Sequence, residues 1–108
     1  MGKINSRNKG AAGERELAEV LRDHGIDARR GQQFSGGSDS PDVVSTLSGI
    51  HIECKRVEAG NLYLWLDQAQ RDAGTKIPIV AHRRNKKPWV VILDLEDFLN
   101  YFTKDFRT

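Results

Sequence analysis

The chain has 108 residues, 38% of them hydrophobic and 30% charged, which is enough to enclose one core and too little for two. A formal net charge of +2 is too small to argue for a nucleic-acid partner by itself. A single cysteine, Cys54, excludes an internal disulfide, no cysteine and histidine cluster offers a zinc site, and no apolar run reaches bilayer-spanning length or resembles a signal-peptide core, so a reducing, cytoplasmic setting without a membrane partner is expected.

In chain order, Lys3 and Ser6-Arg7-Asn8-Lys9 form a basic opening segment, and residues 1–10 are expected to be a flexible basic N-terminus ahead of a single domain over 11–108. Leu17, Val20 and Leu21 recur at helical spacing and predict an amphipathic helix over 11–24, closed by Gly25 at a position suited to a left-handed cap. At 100° per residue Glu14 falls on the side of Leu17 and Leu21, whereas Glu16 and Glu19 point roughly opposite. Helix-dipole stabilisation, worth about 0.3–1 kcal/mol, accounts for an acid in a first turn but not for its place on the apolar side. A short strand near 28–30 follows. The Gly/Ser-rich loop Gln32-Gln33-Phe34-Ser35-Gly36-Gly37-Ser38-Asp39-Ser40 either lies along a substrate backbone or is a disordered connector.

The segment from Val43 to Ile52 predicts two β-branched strands joined by a turn centred on Leu47, Ser48 and Gly49, a hairpin that brings Asp42 beside Glu53. In its second strand Ile50, Ile52 and Cys54 alternate with His51, Glu53 and Lys55, so Glu53 and Lys55 share one face and the aliphatic residues the other. Two carboxylates and a lysine in this pattern suit metal-dependent phosphodiester hydrolysis. A hard divalent cation neutralises the anionic phosphate and lowers the pKa of a bound water. Mg²⁺ takes one or two carboxylates together with waters and phosphate oxygens. Lys55 can orient the water or stabilise the charge that develops in the transition state. The competing reading is a weak ion pair across an ordinary hairpin.

Beyond the hairpin, residues 63–73 predict a helix ended by Gly74, 77–82 and 89–93 two strands, and 95–102 a final helix. His82, Arg83, Arg84, Lys86 and Lys87 crowd the approach to Pro88-Trp89. They serve either as phosphate contacts or as a solvated turn, with Trp89 expected in the core. Cys54 is expected to pack as a small hydrophobe. His24 complements a helix C-terminus, and His51 has no visible partner.

Lys9-Gly10-Ala11-Ala12-Gly13-Glu14-Arg15-Glu16-Leu17, then Leu21-Arg22-Asp23-His24-Gly25, Arg29-Arg30, Pro41-Asp42-Val43-Val44 and Ile52-Glu53-Cys54-Lys55 resemble, in order and spacing, the archaeal-type Holliday junction resolvases of the PD-(D/E)XK nuclease superfamily. The whole chain resembles the small resolvase-like nucleases of phages and prophages, which implies a bacterial host cell. This resemblance implies an α/β restriction-endonuclease-like fold, a central mixed sheet flanked by helices with an α-β-β-β-α-β core. It further implies Glu14, Asp42 and Glu53 as ligands of Mg²⁺, with Mn²⁺ able to substitute, Lys55 as catalytic lysine and Gln68 as an accessory active-site residue. DNA contacts are expected from Lys9, Arg15, Arg30, Ser35, Arg83, Arg84, Lys86 and Lys87. Branched DNA is the expected substrate. Two alternatives stay open: a VRR-type flap or non-specific nuclease of the same fold, and a DNA-binding module that does not cleave. Because symmetric cutting of a junction needs two active sites, a homodimer is expected, with its interface drawn from Tyr63, Trp65, Tyr101 and Phe102.

Overall fold

The computed structural model describes residues 6–31 and 42–106. The elements run α1 (Ser6–Asp23), β1 (Ala28–Arg30), β2 (Val43–Ser45), β3 (Ile50–Lys55), α2 (Leu62–Ala73), β4 (Ile77–His82), β5 (Val90–Ile92) and α3 (Leu95–Phe102), followed by a 3₁₀ turn at Lys104–Phe106. The expected core order is present, and the pair β5 and α3 extends it.

Helix α1 begins at Ser6, so part of the basic segment expected to be flexible is helical. Once the alanine-rich stretch after Gly10 is nucleated, each further residue toward the N-terminus adds to a helix already started, and propagation is far easier than nucleation. At the other end Gly25 has φ 84°, its N–H bonds to Arg22 O at 2.9 Å, and Ile26 N–H reaches Leu21 O at 3.0 Å. This is the paired bonding of a Schellman cap, which a residue with a Cβ tolerates poorly. Helix α2 starts at Asn61, whose side chain accepts from Tyr63 N and Leu64 N. Asp94 does the same for Glu96 N and Asp97 N at the start of α3.

The five strands lie in the order β1-β2-β3-β4-β5. All neighbours are antiparallel except β3 and β4, which are parallel and joined through α2. A parallel pair cannot be closed by a tight turn, so the helix must cross one face of the sheet. That crossing corrects the one-sided picture of β3. Its residues do alternate in direction, but both faces are covered. Ile52 joins Leu17 and Ala18 of α1, with Val43 and Ala81, in one core, while Val80 packs with Leu66 and Ala69 of α2 in another. Glu53 pairs in register with Val80 and therefore points to the α2 side, where it is only 4% exposed. Half-buried Trp89 packs against the α1-side core, as expected. So does half-buried Cys54, whose thiol is pushed up to about 12, mainly by burial.

Candidate functional site

The pairing of β2 with β3 sets the position of Asp42. Its N–H donates to Ile52 O at 3.1 Å, and its own carbonyl accepts from Gly31 N at 2.8 Å, so the backbone is held between β1 and β3. Its Oδ2 accepts from Cys54 N at 2.8 Å, which turns the carboxylate along β3 toward Glu53. On the other side of Glu53, His51 Nε2 lies 2.8 Å from Oε1, and the imidazole is 2% exposed. Two residues apart on a strand, these side chains share a face. His51, expected to be partnerless, is thus the buried companion of Glu53, and strand alternation was the signal that it would be.

Glu14 comes from α1, is 9% exposed, and accepts at Oε1 from Arg30 Nε of β1 at 2.7 Å. Burial pushes its carboxyl above the ordinary value of 4.5; the Arg30 hydrogen bond opposes the shift and the charge of Asp42 adds to it. Glu53 rises further, to about 7. Burial is the largest cause, the His51 hydrogen bond works against it, and hydrogen bonding and repulsion from Asp42 raise it again. Two carboxyls brought together away from water hold a proton between them more readily than two negative charges. A divalent cation relieves the same repulsion, and a pair of hard carboxylate donors is what Mg²⁺ accepts, with waters and phosphate filling its other positions.

This chemistry fits an ion on Asp42 and Glu53. Among the described residues no three His, Cys, Asp or Glu side chains are already grouped to hold an ion, although Glu14 is near enough to feel the charge of Asp42. Glu14 is held by the Arg30 guanidinium across the α1–β1 contact. Arg30, expected at the DNA, is therefore part of this cluster, although a guanidinium has further N–H donors to offer.

Lys55 is half-buried on the Glu53 side of β3, opposite His82 in the ladder. Gln68 is exposed and lies off the buried stripe of α2 formed by Leu66, Ala69 and Ala73. Arg15 is exposed on α1. Lys9 lies within α1, but its side chain, like all of Ser35, is outside the described residues. The basic run after β4 divides. Arg84, Lys86 and Lys87 are exposed. Arg83 is held in place, because it pairs with Glu16 and its Nε donates to Lys87 O at 2.6 Å. Half-buried His82 sits against Trp65, ring centroids 4.8 Å apart, and lies 3.0 Å from Val57 O through Nε2.

Arg56 is a residue that sequence reasoning missed. It lies between Glu16 at 3.5 Å and Glu58 at 3.7 Å and donates to Asn85 Oδ1 at 3.0 Å. A Cβ on Gly13 would come within 2.5 Å of Arg56 Cβ, so α1 approaches this arginine only because position 13 carries no side chain. The otherwise unexplained glycine inside a helix was the available clue.

Among the described residues no helix is long and apolar enough to cross a membrane. No curated protein sequence matches the chain. Among solved structures, the Holliday junction resolvase Hjc of Archaeoglobus fulgidus, an archaeal hyperthermophile, is similar in fold. It superposes with a TM-score of 0.55 at 22% identity, covering 74% of this chain and 72% of that one. The family model of the archaeal Holliday junction resolvases (Hjc) matches residues 5–101. With nearly the whole described chain inside that match, the protein belongs to the archaeal Holliday junction resolvase family and is a resolvase-like endonuclease of branched DNA.

Proposed function

We propose that the protein cleaves four-way DNA junctions in a Mg²⁺-dependent reaction, with Mn²⁺ able to substitute, and that Asp42 and Glu53 hold the ion. The observation that carries this reading is the Asp42–Glu53 pair, in which burial, then hydrogen bonding and repulsion from Asp42, raise Glu53 to about 7. The ion, when bound, neutralises the phosphate and acidifies a water. Asp42 is aimed by the Cys54 amide, and Glu53 is oriented by His51, so neither carboxylate must reorganise when substrate arrives. Lys55, on the same strand face as Glu53, steadies the attacking water or the charge on the phosphate. The Glu14–Arg30 pair borders the site, and Glu14, which feels the charge of Asp42, is the third candidate ligand. Gln68, exposed on α2, is kept as an accessory residue open to substrate.

Arg15, Arg84, Lys86 and Lys87 are the exposed cations for phosphate contact. A homodimer is part of the reading. Of the four aromatic residues first considered, Tyr63, Tyr101 and Phe102 are exposed, and Trp65 is half-buried against His82. Leu95, Phe98 and Leu99 extend the exposed apolar surface along α3, none of whose residues is buried. A second copy packed on α3 would bury that surface and supply the second active site. Cytoplasmic action in a bacterial host, from a phage or prophage, rests on the sequence resemblance.

The test is cleavage of labelled four-way junction, flap, nicked duplex, linear duplex and single strand, each in Mg²⁺, in Mn²⁺ and in EDTA, beside Glu53→Ala. Paired symmetric cuts in the junction alone, lost in EDTA and in the variant, are expected. Cutting of every duplex would move the protein to the non-specific reading. Binding without metal-dependent cutting would leave a module that does not cleave.

A further inference from the structure

A recess opens at the end of β4, where His82 is the ladder partner of Lys55. Its volume is about 520 Å³, within the roughly 300–1,000 Å³ range of small-molecule sites, and its wall is made from the start of α2, the end of β4 and the turn before β5. Trp65 and His82 form its aromatic side, Leu62 and Val90 its apolar part, and Arg84 and Lys87 its basic rim.

The indole is held in place. Its ring meets the His82 imidazole at 4.8 Å with the planes tilted by 53°, and its other edge lies over Gly60, where a Cβ would fall 2.2 Å from the ring. The rim is also held. Arg83 donates to Lys87 O at 2.6 Å, Lys87 N bonds to Arg84 O at 3.2 Å, and Lys86 adopts φ 62° to close the turn. Glu58 also lines the recess, but its carboxylate faces Arg56 and accepts from Asn85 N at 2.8 Å. Arg84 and Lys87 remain as exposed cations at the mouth.

A fixed aromatic plane, apolar side chains beside it and cations at the edge are complementary to a nucleobase and its phosphate. Bases inside a duplex cannot reach such a recess, because their faces are covered by neighbours. His82 is the ladder partner of Lys55, one strand spacing of about 4.8 Å away, so an occupant would lie next to the phosphate presented to the carboxylates.

We propose that this recess is a subsite for one unpaired nucleotide flanking the scissile phosphate, stacked on Trp65 with its phosphate met by Arg84 and Lys87. It lets the enzyme select DNA with an opened or extruded base at a branch point. The proposal rests on the endonuclease reading for the position of the scissile phosphate, but its test does not depend on cleavage.

Binding of the full chain to an oligo-dT strand, a flapped duplex and a linear duplex is measured in EDTA by fluorescence anisotropy, with indole emission recorded in parallel. Trp65→Ala is expected to weaken the oligo-dT and flapped complexes roughly 5- to 100-fold while changing linear-duplex affinity by less than about twofold. Oligo-dT should quench indole emission in the wild type, and Trp65→Phe, which leaves Trp89 as reporter, should keep most of the affinity and lose the quenching. Thermal melts establish that each variant is folded; if Trp65→Ala is not, the wild-type quenching and the Phe variant decide. Equal losses on all three DNAs, or no quenching by oligo-dT, would overturn the subsite. Metal-dependent cutting of junctions by the wild type would then leave the nuclease reading standing, whereas a protein that quenches with oligo-dT but never cuts would keep the subsite and remove the nuclease.

Discussion

The two ends of the described chain use their side chains in opposite ways. In the first half, α1 and the strands β1 to β3 bury charged groups: Glu14, His51 and Glu53 are all 9% exposed or less, and each is bonded to another side chain. In the last part, β5 and α3 expose apolar groups, with Val91 60% and Leu95 68% exposed. Tyr101 Oη donates to Ser48 O at 2.9 Å and ties α3 to the β2–β3 turn. Burying charge is costly unless partners are present, and exposing apolar surface forgoes stabilisation unless another surface covers it. In the proposed reading the first region carries the chemistry and the second the association.

The sharpest way to break this comparison is to remove apolar side chains from each region. Leu17→Ala, in the α1-side core, should destabilise the fold by about 2–5 kcal/mol in denaturant titrations. Next in size is Glu53→Gln, which keeps the shape but removes the charge. Junction cleavage should fall roughly a hundredfold or more in single-turnover assays, since a bound metal ion contributes several kcal/mol to the transition state. A variant that cleaved at the wild-type rate would remove Glu53 from the site.

His51→Ala tests whether the buried imidazole organises the carboxylate. Calcium affinity, measured by calorimetry without substrate, is expected to drop about 10- to 100-fold, as for other partners of metal ligands. Unchanged affinity would make His51 a packing residue. Smaller still is the effect of pH on the metal-free protein. Glu53 has its carboxyl raised from 4.5 to about 7, so the folded chain holds a proton that the unfolded chain has released throughout that interval. Stability from this group is therefore complete below 4.5 and lost as pH rises through about 7. Midpoints from thermal melts should decline across this window, and added Mg²⁺ should restore more at pH 8 than at pH 5.5, because the ion competes with the proton. A rise in metal-free stability over the same window would contradict the burial argument. The smallest expected change in fold stability is Phe98→Ser on α3, within about 0.5 kcal/mol for the monomer, while sedimentation should shift from dimer to monomer. Retention of the dimer would place the interface elsewhere.

Much of the architecture was legible because its signals are local. β1, β4 and α3 lie at their expected positions, and the left-handed glycines at 25, 49 and 74, with φ of 84°, 77° and 62°, mark the ends of α1, of the hairpin turn and of α2. The placement of Glu14 on the apolar side of its helix was likewise readable, since it depends only on helical periodicity. The partners were not. Arg30 lies sixteen residues from Glu14 and Arg83 sixty-seven from Glu16, and each could equally have been a free cation on sequence grounds. The bond between Glu14 and Arg30 was hidden for the same reason, because it forms only when α1 and β1 meet.

The sequence by itself determined the kind and order of the helices and strands, which residues share a face, and that Asp42 must stand beside Glu53, because turn chemistry and the periods of two and 3.6 act over a few residues. Tertiary structure decided what those faces meet. The parallel pairing of β3 with β4 forces α2 across the sheet, buries His51 and Glu53 together, and so makes a strand carboxylate into one that holds a proton to about 7. Desolvation and charge pairing depend on neighbours distant in the chain, and only the assembled layers bring those neighbours into contact.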